Sequence, residues 1–370
     1  MVVNDVVDDS QRSFLSAGYV FKRKRPIEHK FKIVNSCHGF LCLCEPSNNE
    51  PVVVCNPIAG EYTNLPVAQK YGEKGLAGCG FGFSPRTNQY KVIRMICQMI
   101  FGESSLTNLR RTEIHTLGTG SWKSIGGCPD PLYGLAFPTY LEGCIHWICI
   151  EPRTFPNYIV SFNFDNEQFQ SVPPPPRKSD GTDELSFEAM SNVSMGVLEG
   201  CLCICEASNY INIWIMKKYG VQESWTKIFS IDTDERCPIG LYQPIKYLKD
   251  GALLMFHYFT SSLNCYDPNE PKFKCLKVFG IDSKFEAIAH IPSFISLKEA
   301  VTGDNAVVRN IYSRCAAFKV PEETLDLSLM EKVRDTTFDS DNSSSGADKW
   351  RSHLFVFDTF TYIGRCSGFE

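Results

Sequence analysis

The stretch Ile211 to Ile228, INIWIMKKYGVQESWTKI, decides how the rest of the chain is interpreted. Its first half, INIWIM, alternates isoleucine with other residues, and this period of two places successive side chains on opposite faces of a strand. Polar residues and a glycine at Lys217–Gly220 interrupt the alternation, and Trp225–Ile228 resumes an extended, aromatic and β-branched pattern. The stretch therefore predicts a β-hairpin with a fairly long connection.

Five other stretches repeat this plan of a strand, a polar turn and a return strand. They lie at residues 52–65, 81–93, 113–125, 159–172 and 263–276. Counting the first stretch, the six hairpins each carry an aromatic residue on or just after the turn: Tyr62, Tyr90, Trp122, Phe169, Trp225 and Phe273. The last three intervals between these aromatics match the roughly 40 to 50 residues of a four-stranded propeller blade, and the first two are nearer to half a blade.

This spacing predicts an all-β fold, a kelch-like β-propeller with five to seven irregular blades. A small sheet cannot cover both of its own faces, so neighbouring sheets pack around an axis, and the repeated aromatics are expected to fill the space between them. Trp214 and Trp225 are accordingly interpreted as packing residues of the scaffold.

Composition limits the class of protein. The chain has 370 residues, of which 43% are hydrophobic, and a formal net charge of −5. This charge gives no general reason to expect a nucleic-acid or membrane partner. No apolar run has the length of a membrane span, and the start, MVVNDVVDDS, lacks the order of a signal peptide, so an intracellular protein of the cytoplasm or nucleus is expected.

The 17 cysteines are predicted to be reduced core residues. Many of them alternate within apolar runs, as in Leu41–Cys44 and Cys201–Cys205, where a thiol behaves as a small hydrophobic side chain. A disulfide framework would instead be expected in a small secreted chain.

The sequence divides into four parts that differ in composition and in hydrophobic pattern. These are a flexible lead-in at 1–34, the propeller-like domain at 35–300, a linker at 301–349 and a final segment at 350–370. The basic run Lys22–Arg25 in the lead-in fits a nuclear-import signal, an anion-binding patch or a solvated segment. In the linker, the acidic start at Pro321 and the apolar residues at 325, 329 and 333 predict a short helix, followed by a disordered composition. In the final segment, His353–Phe357 predicts a strand that closes the ring by pairing with an early blade.

Several motifs, taken in their order, resemble the F-box associated domain of plant F-box proteins. The resemblance covers residues 35 to 297 and rests on NSCHGFLCL (35–43), CNP (55–57), GFGF (80–83), NQYKV (88–92), SW (121–122), HW (146–147), SFN (161–163), IWIMK (213–217), ESWTK (223–227) and YD (266–267).

The resemblance implies a module that selects a protein target for an SCF-type (Skp1, cullin, F-box) ubiquitin ligase. In this family an F-box of about forty residues precedes the module and binds the Skp1-type adaptor. The residues before Asn35 lack the Leu-Pro start and the paired amphipathic helices of an F-box, so the adaptor is a partner expected for the family, and its binding is in doubt for this chain as written.

Three fragments invite an enzymatic interpretation. Gly78–Gly82 is similar to a phosphate-binding loop, but Ser84-Pro85 and a strand follow where a helix would be needed, so close packing of the backbone is favoured. Cys37 and His38 are neighbours in a predicted strand and face opposite sides. His146 and the other histidines lack the spacing of a zinc site. No catalytic, cofactor-binding or metal-binding residue is therefore predicted, and no cofactor.

Two functions of different class remain, with a propeller enzyme as a third. The first is the target receptor of a ubiquitin ligase, and the second is a stand-alone interaction propeller that binds a target without delivering it. In either case the partner is a protein, and its contacts are expected on loops at one mouth of the ring because loops vary on a rigid scaffold. The connection from Pro173 to Asp183 and the loop from Pro129 to Pro138 are the predicted contact loops.

Overall fold

The computed structural model describes residues 2–4, 16–18, 31–45, 49–67, 75–101, 106–127, 135–149, 158–176, 192–232, 240–270, 272–276, 285–301, 303, 307–310 and 353–358. In these ranges the chain consists mainly of β-strands, which form six antiparallel sheets. The sheets follow one another around an axis. The predicted all-β propeller is therefore confirmed.

Five sheets, here called blades 1 to 5, are each built from consecutive strands. Blade 1 has β3 (Lys32–Cys37), β4 (Phe40–Cys44), β5 (Pro51–Asn56) and β6 (Glu61–Asn64). Blade 2 has β7 (Gly75–Ser84), β8 (Gln89–Phe101), β9 (Leu106–Thr116) and β10 (Lys123–Gly126). Blade 3 has β11 (Leu135–Leu141), β12 (Cys144–Cys149), β13 (Tyr158–Asn163) and β14 (Gln168–Val172).

The remaining elements complete the ring. Blade 4 has β15 (Val193–Leu198), β16 (Cys201–Ala207), β17 (Tyr210–Met216) and β18 (Trp225–Asp232), with a 3-10 turn at Gln222–Ser224. Blade 5 has β19 (Tyr242–Tyr247), β20 (Leu253–His257), β21 (Ser262–Asp267) and β22 (Lys272–Leu276). The sixth sheet has β23 (Phe285–His290), β25 (His353–Asp358), β1 (Val2–Asn4) and β2 (Ser16–Gly18). A helical turn at Leu297–Ala300 precedes β24 (Arg309–Asn310), which pairs with the outer strand β6 of blade 1.

The first strand of each sheet lies innermost and contacts the first strand of the next, from β3 through β7, β11, β15 and β19 to β23, which contacts β3 again. The side chain of Asn35 on β3 joins blades 1 and 2 at this level. Its Nδ2 donates a hydrogen bond of 2.8 Å to the carbonyl of Phe81, and its Oδ1 accepts one of 2.9 Å from the amide of Phe81. An amide side chain thus takes the place of a backbone pairing between two blades.

The stretch that predicts the fold forms the hairpin of β17 and β18, as expected. Ile211 and Ile213 are buried in the core between blades 4 and 5, whereas Met216 and part of Trp214 face the core between blades 3 and 4. Alternating side chains of one strand therefore serve two blade interfaces. This arrangement explains why both faces of the strand are apolar.

Five of the six repeated aromatics pack between blades, which confirms their predicted role, whereas Tyr62 packs against residues of its own blade. At the start of β18, Trp225 packs with Ile148, Ile159 and Val172 of blade 3, and its Nε1 donates to the carbonyl of Pro173 at 2.8 Å. Four further aromatics stand at or next to the start of a fourth strand: Tyr62, Trp122, Phe169 and Phe273. Tyr90 differs because it lies on β8, the second strand of blade 2, so its hairpin and the next belong to one blade.

The glycine run of β7 is a packing feature, as the sequence predicts. A Cβ atom built on Gly82 would lie 2.1 Å from the ring of Phe164, and one on Gly80 would lie 2.8 Å from Trp147. Both contacts are far shorter than real Cβ contacts. The glycines therefore let the aromatic residues of blade 3 approach the backbone of blade 2.

The ends of the chain meet in the sixth sheet. β25 is present where a strand is predicted, but its partners are β23 and β1 rather than a strand of an early blade. Blade 1 begins at Lys32. The helix predicted from Pro321 lies outside the described residues.

The prediction of reduced cysteines is confirmed for the described part of the chain, where twelve free cysteines are found and ten are buried. Among the helices within the described ranges, none has the length and apolar character of a membrane span.

Candidate interaction surfaces

The antiparallel strand order divides the ring into two faces. Turns between first and second strands, and between third and fourth strands, lie at one end, here called the turn face. Links between second and third strands, and from one blade to the next, lie at the other end, here called the connection face. The longest of these links is 173–192, between blades 3 and 4.

The axis is occupied near the connection face by an aromatic contact. The rings of Phe137 on β11 and Tyr258, which follows β20, lie 5.5 Å apart in an edge-to-face arrangement. Blades 3 and 5 are not neighbours in the ring, so the contact reaches past the inner strand of blade 4.

Phe137 has a strained backbone conformation, with φ of +55°. The strand pairing of β11 shifts between Ala136 and Thr139, and the hydroxyl of Thr139 donates to the carbonyl of Phe137 at 2.8 Å. Such strain persists only where the surroundings enforce it, and it concentrates at functional positions. Phe137 is therefore the strongest backbone signal of function on the connection face.

Tyr258 is held in place by a chain of hydrogen bonds. Its hydroxyl donates to Oε1 of Gln243 at 2.6 Å, and Nε2 of Gln243 donates to the carbonyl of Met195 at 2.9 Å. Burial raises the pKa of Tyr258 far above its ordinary value, so the hydroxyl stays protonated and donates. These hydrogen bonds fix the position of Tyr258 beneath the connection face.

Three exposed apolar residues lie in links of the same face. Phe259 is 61% exposed in the turn between β20 and β21, and Tyr210 is half exposed beside the turn between β16 and β17. Val67, which follows β6, is 92% exposed. All three belong to links on the connection face.

The two predicted contact loops also belong to this face, and each is described only in part. In the connection from Pro173 to Asp183, the carbonyl of Pro174 accepts a hydrogen bond from Nε2 of Gln222 at 3.3 Å. The described residues end at 176. In the loop from Pro129 to Pro138 they begin at Leu135 and include the strained Phe137. Sequence reasoning did not single out Phe137 or Tyr258, since an aromatic beside a strand carries no signal of strain or of axial position.

A strap of residues 291–297 crosses the turn face from the end of β23 to blade 1. Nδ2 of Asn56 donates to the carbonyls of Ser293 and Ile295, both at 2.9 Å. Glu61 accepts from the hydroxyl of Ser296 and, at 2.6 Å, from the amide of Leu297. Leu297 is buried in the core between blades 1 and 2. The backbone of the strap is thus fixed at both ends and in the middle.

Gly39 lets the strap lie this close to blade 1. It adopts a positive φ of +86°, and a Cβ on it would lie 2.2 Å from the Cβ of Ser293. The strap nevertheless turns three apolar side chains outward: Phe294 is 89% exposed, Ile295 52% and Ile291 45%. Nothing in the sequence marks this strap, because its apolar residues follow neither a strand nor a helix period.

Titratable groups in the ring serve its structure. Burial raises the pKa of the Cys37 thiol well above its ordinary value, which disfavours a nucleophilic thiolate. The neighbouring His38 is exposed on the turn face and packs at 5.1 Å against Phe83. Burial lowers the pKa of His146 to about 4. Within the ranges described, no group of three or more His, Cys, Asp or Glu side chains is placed to hold a metal ion.

A ring of small antiparallel sheets built from consecutive strands defines a β-propeller. Comparison with known proteins identifies its family. Residues 4–293 match the model of the F-box associated beta propeller domain, so the chain belongs to this family. The resemblance seen in the sequence motifs is thereby confirmed.

Individual relatives agree with this assignment. The chain is 29% identical over 302 residues to F-box protein At3g07870 of Arabidopsis thaliana. This alignment covers 70% of the chain and 69% of the relative. It is 25% identical over 315 residues to F-box protein CPR1 of the same plant, covering 78% of this chain and 72% of the relative.

Solved structures are more distant. Virginiamycin B lyase from Staphylococcus aureus aligns with a TM-score of 0.35 and 14% identity, over 71% of this chain and 73% of that chain. A family 117 glycoside hydrolase from Zobellia galactanivorans aligns with a TM-score of 0.37 and 9% identity, over 62% and 78% of the two chains. Neither similarity carries an argument about function.

Proposed function

We propose that this chain is the target-recognition module of an SCF-type ubiquitin ligase, which binds one protein and delivers it for ubiquitination. The supporting observation is the family match over residues 4–293, together with relatives that are named F-box proteins. In this proposal the chain is not an enzyme. The transfer chemistry belongs to its partners, and the propeller contributes binding.

The connection face is the proposed target surface. It carries the longest links between blades, and it displays exposed apolar side chains such as Phe259 together with the hydrogen-bonded Tyr258. Large aromatic side chains on a fixed support contribute much of the affinity in protein interfaces. The links 173–183 and 129–138 are proposed to add the contacts that select the target.

The ligase role is tested by adaptor binding. The chain as given and a version extended upstream by an F-box are each mixed with a purified Skp1-type adaptor. We expect the extended version to bind the adaptor and the propeller alone to bind it weakly or not at all. If the extended version also fails to bind, the ligase role is wrong. If the propeller acts in cells only in the form given, the stand-alone interaction module is the better description.

The choice of face is tested once a target is known. Phe259→Asp, and charge reversals of the charged residues in 173–183, are expected to weaken target binding at least tenfold. Val307→Asp is the matched control, because Val307 is an exposed apolar residue beside β24, which pairs with blade 1 and not with the blades that carry Phe259 or 173–183. Equal binding by all these variants would remove the connection face from the proposal. Turnover of a small molecule, abolished by changing polar residues at one mouth, would instead indicate a propeller enzyme.

A further inference from the structure

The strap of residues 291–297 displays a contiguous apolar surface that the described residues do not cover. Ile291, Phe294 and Ile295 are exposed within five positions of the chain. Single exposed apolar residues are ordinary, but a cluster on one short segment indicates a contact site.

The strap cannot hide these side chains by refolding locally. Asn56 binds two of its carbonyls, and Glu61 binds the hydroxyl of Ser296 and the amide of Leu297. Gly39 permits the close contact with Ser293. A backbone fixed on both sides of Phe294 keeps that ring in one position, which lowers the entropy cost of binding to it.

The course of the chain indicates what lies on this surface. After β24 the chain leaves the described region at Asn310, which pairs with Glu61 and donates to the carbonyl of Ala59. It returns at His353, which pairs with His290 at the end of β23. The strap runs between these same two places, from His290 to the residues bound by Glu61. Residues 311–352 therefore leave at one end of the strap and come back at the other.

This connecting stretch contains a segment suited to the strap. Between 321 and 333, the residues Leu325, Leu329 and Val333 recur at intervals of four, which places them on one side of a helix. Pro321 and the two following glutamates are typical of a helix start. A segment tethered at both ends beside its docking surface has a high effective concentration, so a modest apolar contact is enough to hold it.

We propose that residues 321–333 dock on the strap and cover Phe294, Ile295 and Ile291. The contact is intramolecular and lies on the turn face, away from the surface proposed for the target. It is therefore independent of the ligase role.

Hydrogen–deuterium exchange on the full 370-residue chain tests the docking. We expect the amides of 325–333 to exchange at least about tenfold more slowly than in an unstructured peptide of the same sequence. Phe294→Asp should abolish this protection. Val67→Asp is the matched control, since Val67 is a 92% exposed apolar residue outside the strap, and it should leave the protection unchanged.

A second variant removes the docking partner without touching the propeller. Leu325→Asp with Leu329→Asp should abolish the protection of 325–333 while the melting temperature of the blades stays the same. The proposal is wrong if 325–333 exchange at the unstructured rate in the unmodified chain, or stay protected in Phe294→Asp. Protection that rises with protein concentration would identify a second copy as the occupant, and would also overturn it.

Discussion

Two blade interfaces contain the same hydrogen bond, from a tryptophan indole to a backbone carbonyl, but the residues around it differ. Between blades 1 and 2, Nε1 of Trp122 donates to the carbonyl of Pro66 at 2.9 Å, and between blades 3 and 4, Nε1 of Trp225 donates to the carbonyl of Pro173 at 2.8 Å. In both cases a tryptophan near the start of a fourth strand binds the carbonyl that follows the fourth strand of the preceding blade.

The neighbours of the two indoles differ. Arg94 lies 4.7 Å from the centre of the Trp122 ring and pairs with Glu113 of its own blade and Glu50 of blade 1. Trp225 is instead surrounded by aliphatic residues of blade 3. The same indole–carbonyl hydrogen bond is therefore stabilised by charged neighbours at one interface and by apolar packing at the other. Substitutions at the two interfaces should lower the free energy of unfolding for different reasons.

The largest effect is expected at the apolar interface. Trp225→Ala should lower the free energy of unfolding by about 3 to 5 kcal/mol, because the indole leaves a cavity between blades 3 and 4. Denaturant unfolding measures this loss. A change within error of the unmodified protein would mean that the side chain is not buried between blades.

At the charged interface, Arg94→Met should cost about 3 kcal/mol at neutral pH, because the buried Glu113 loses the guanidinium that pairs with it. The second change Glu113→Gln should recover part of the loss, since it removes the buried charge that Arg94 balances. Urea unfolding of the single and double variants gives both values. No recovery in the double variant would show that Arg94 acts through packing rather than charge.

A pH response is expected from the interface between blades 3 and 4. His146 donates from Nδ1 to the carbonyl of Thr139 at 3.0 Å, so Nε2 accepts from the hydroxyl of Tyr219 at 2.7 Å. Burial lowers the pKa of His146 from 6.5 to about 4, so the neutral ring is the folded form. Between these values the unfolded chain binds the proton and the folded chain does not, and stability falls as the pH falls.

The contribution of this group should be about 2 to 3 kcal/mol, present above pH 6.5 and lost as the pH approaches 4. His146→Gln removes the titration, so its stability should fall less steeply over the same window. Unfolding curves collected from pH 7 to pH 4 give the two slopes. Parallel slopes would contradict the assignment.

The smallest effects are expected when the indole–carbonyl hydrogen bond alone is removed at each interface. Trp122→Phe and Trp225→Phe each remove the indole N–H and keep an aromatic ring, so each should cost about 1 kcal/mol for the lost hydrogen bond. Thermal unfolding of the two variants provides the comparison. A much larger loss at Trp122 would show that Arg94 depends on the full indole face.

Much of this fold follows from local patterns. The hairpin of β17 and β18, the crowded glycines of β7 and the aromatics at the start of fourth strands could all be predicted, because each depends on periodicity or on residue size. The buried cysteines follow from their alternation in apolar strands.

The features that were missed depend on contacts between distant parts of the chain. Nothing near Val2–Asn4 indicates a partner at His353–Asp358, and the strap gains its position only through Asn56 and Glu61. The strain at Phe137 likewise depends on where Thr139 and Tyr258 lie. Such pairings leave no periodic trace in the sequence, so the candidate surfaces became visible only in the structure.

The sixth sheet has a consequence for synthesis of the protein. β1 precedes blade 1 in the chain and is made before it, but its partner β25 follows β23 and is made after all five blades. Blades 1 to 5 can form in order as their own strands emerge, because each blade uses consecutive residues. The ring therefore keeps an open seam until β25 has emerged from the ribosome, and during this time the unpaired edge of β23 is available to chaperones or to a neighbouring chain.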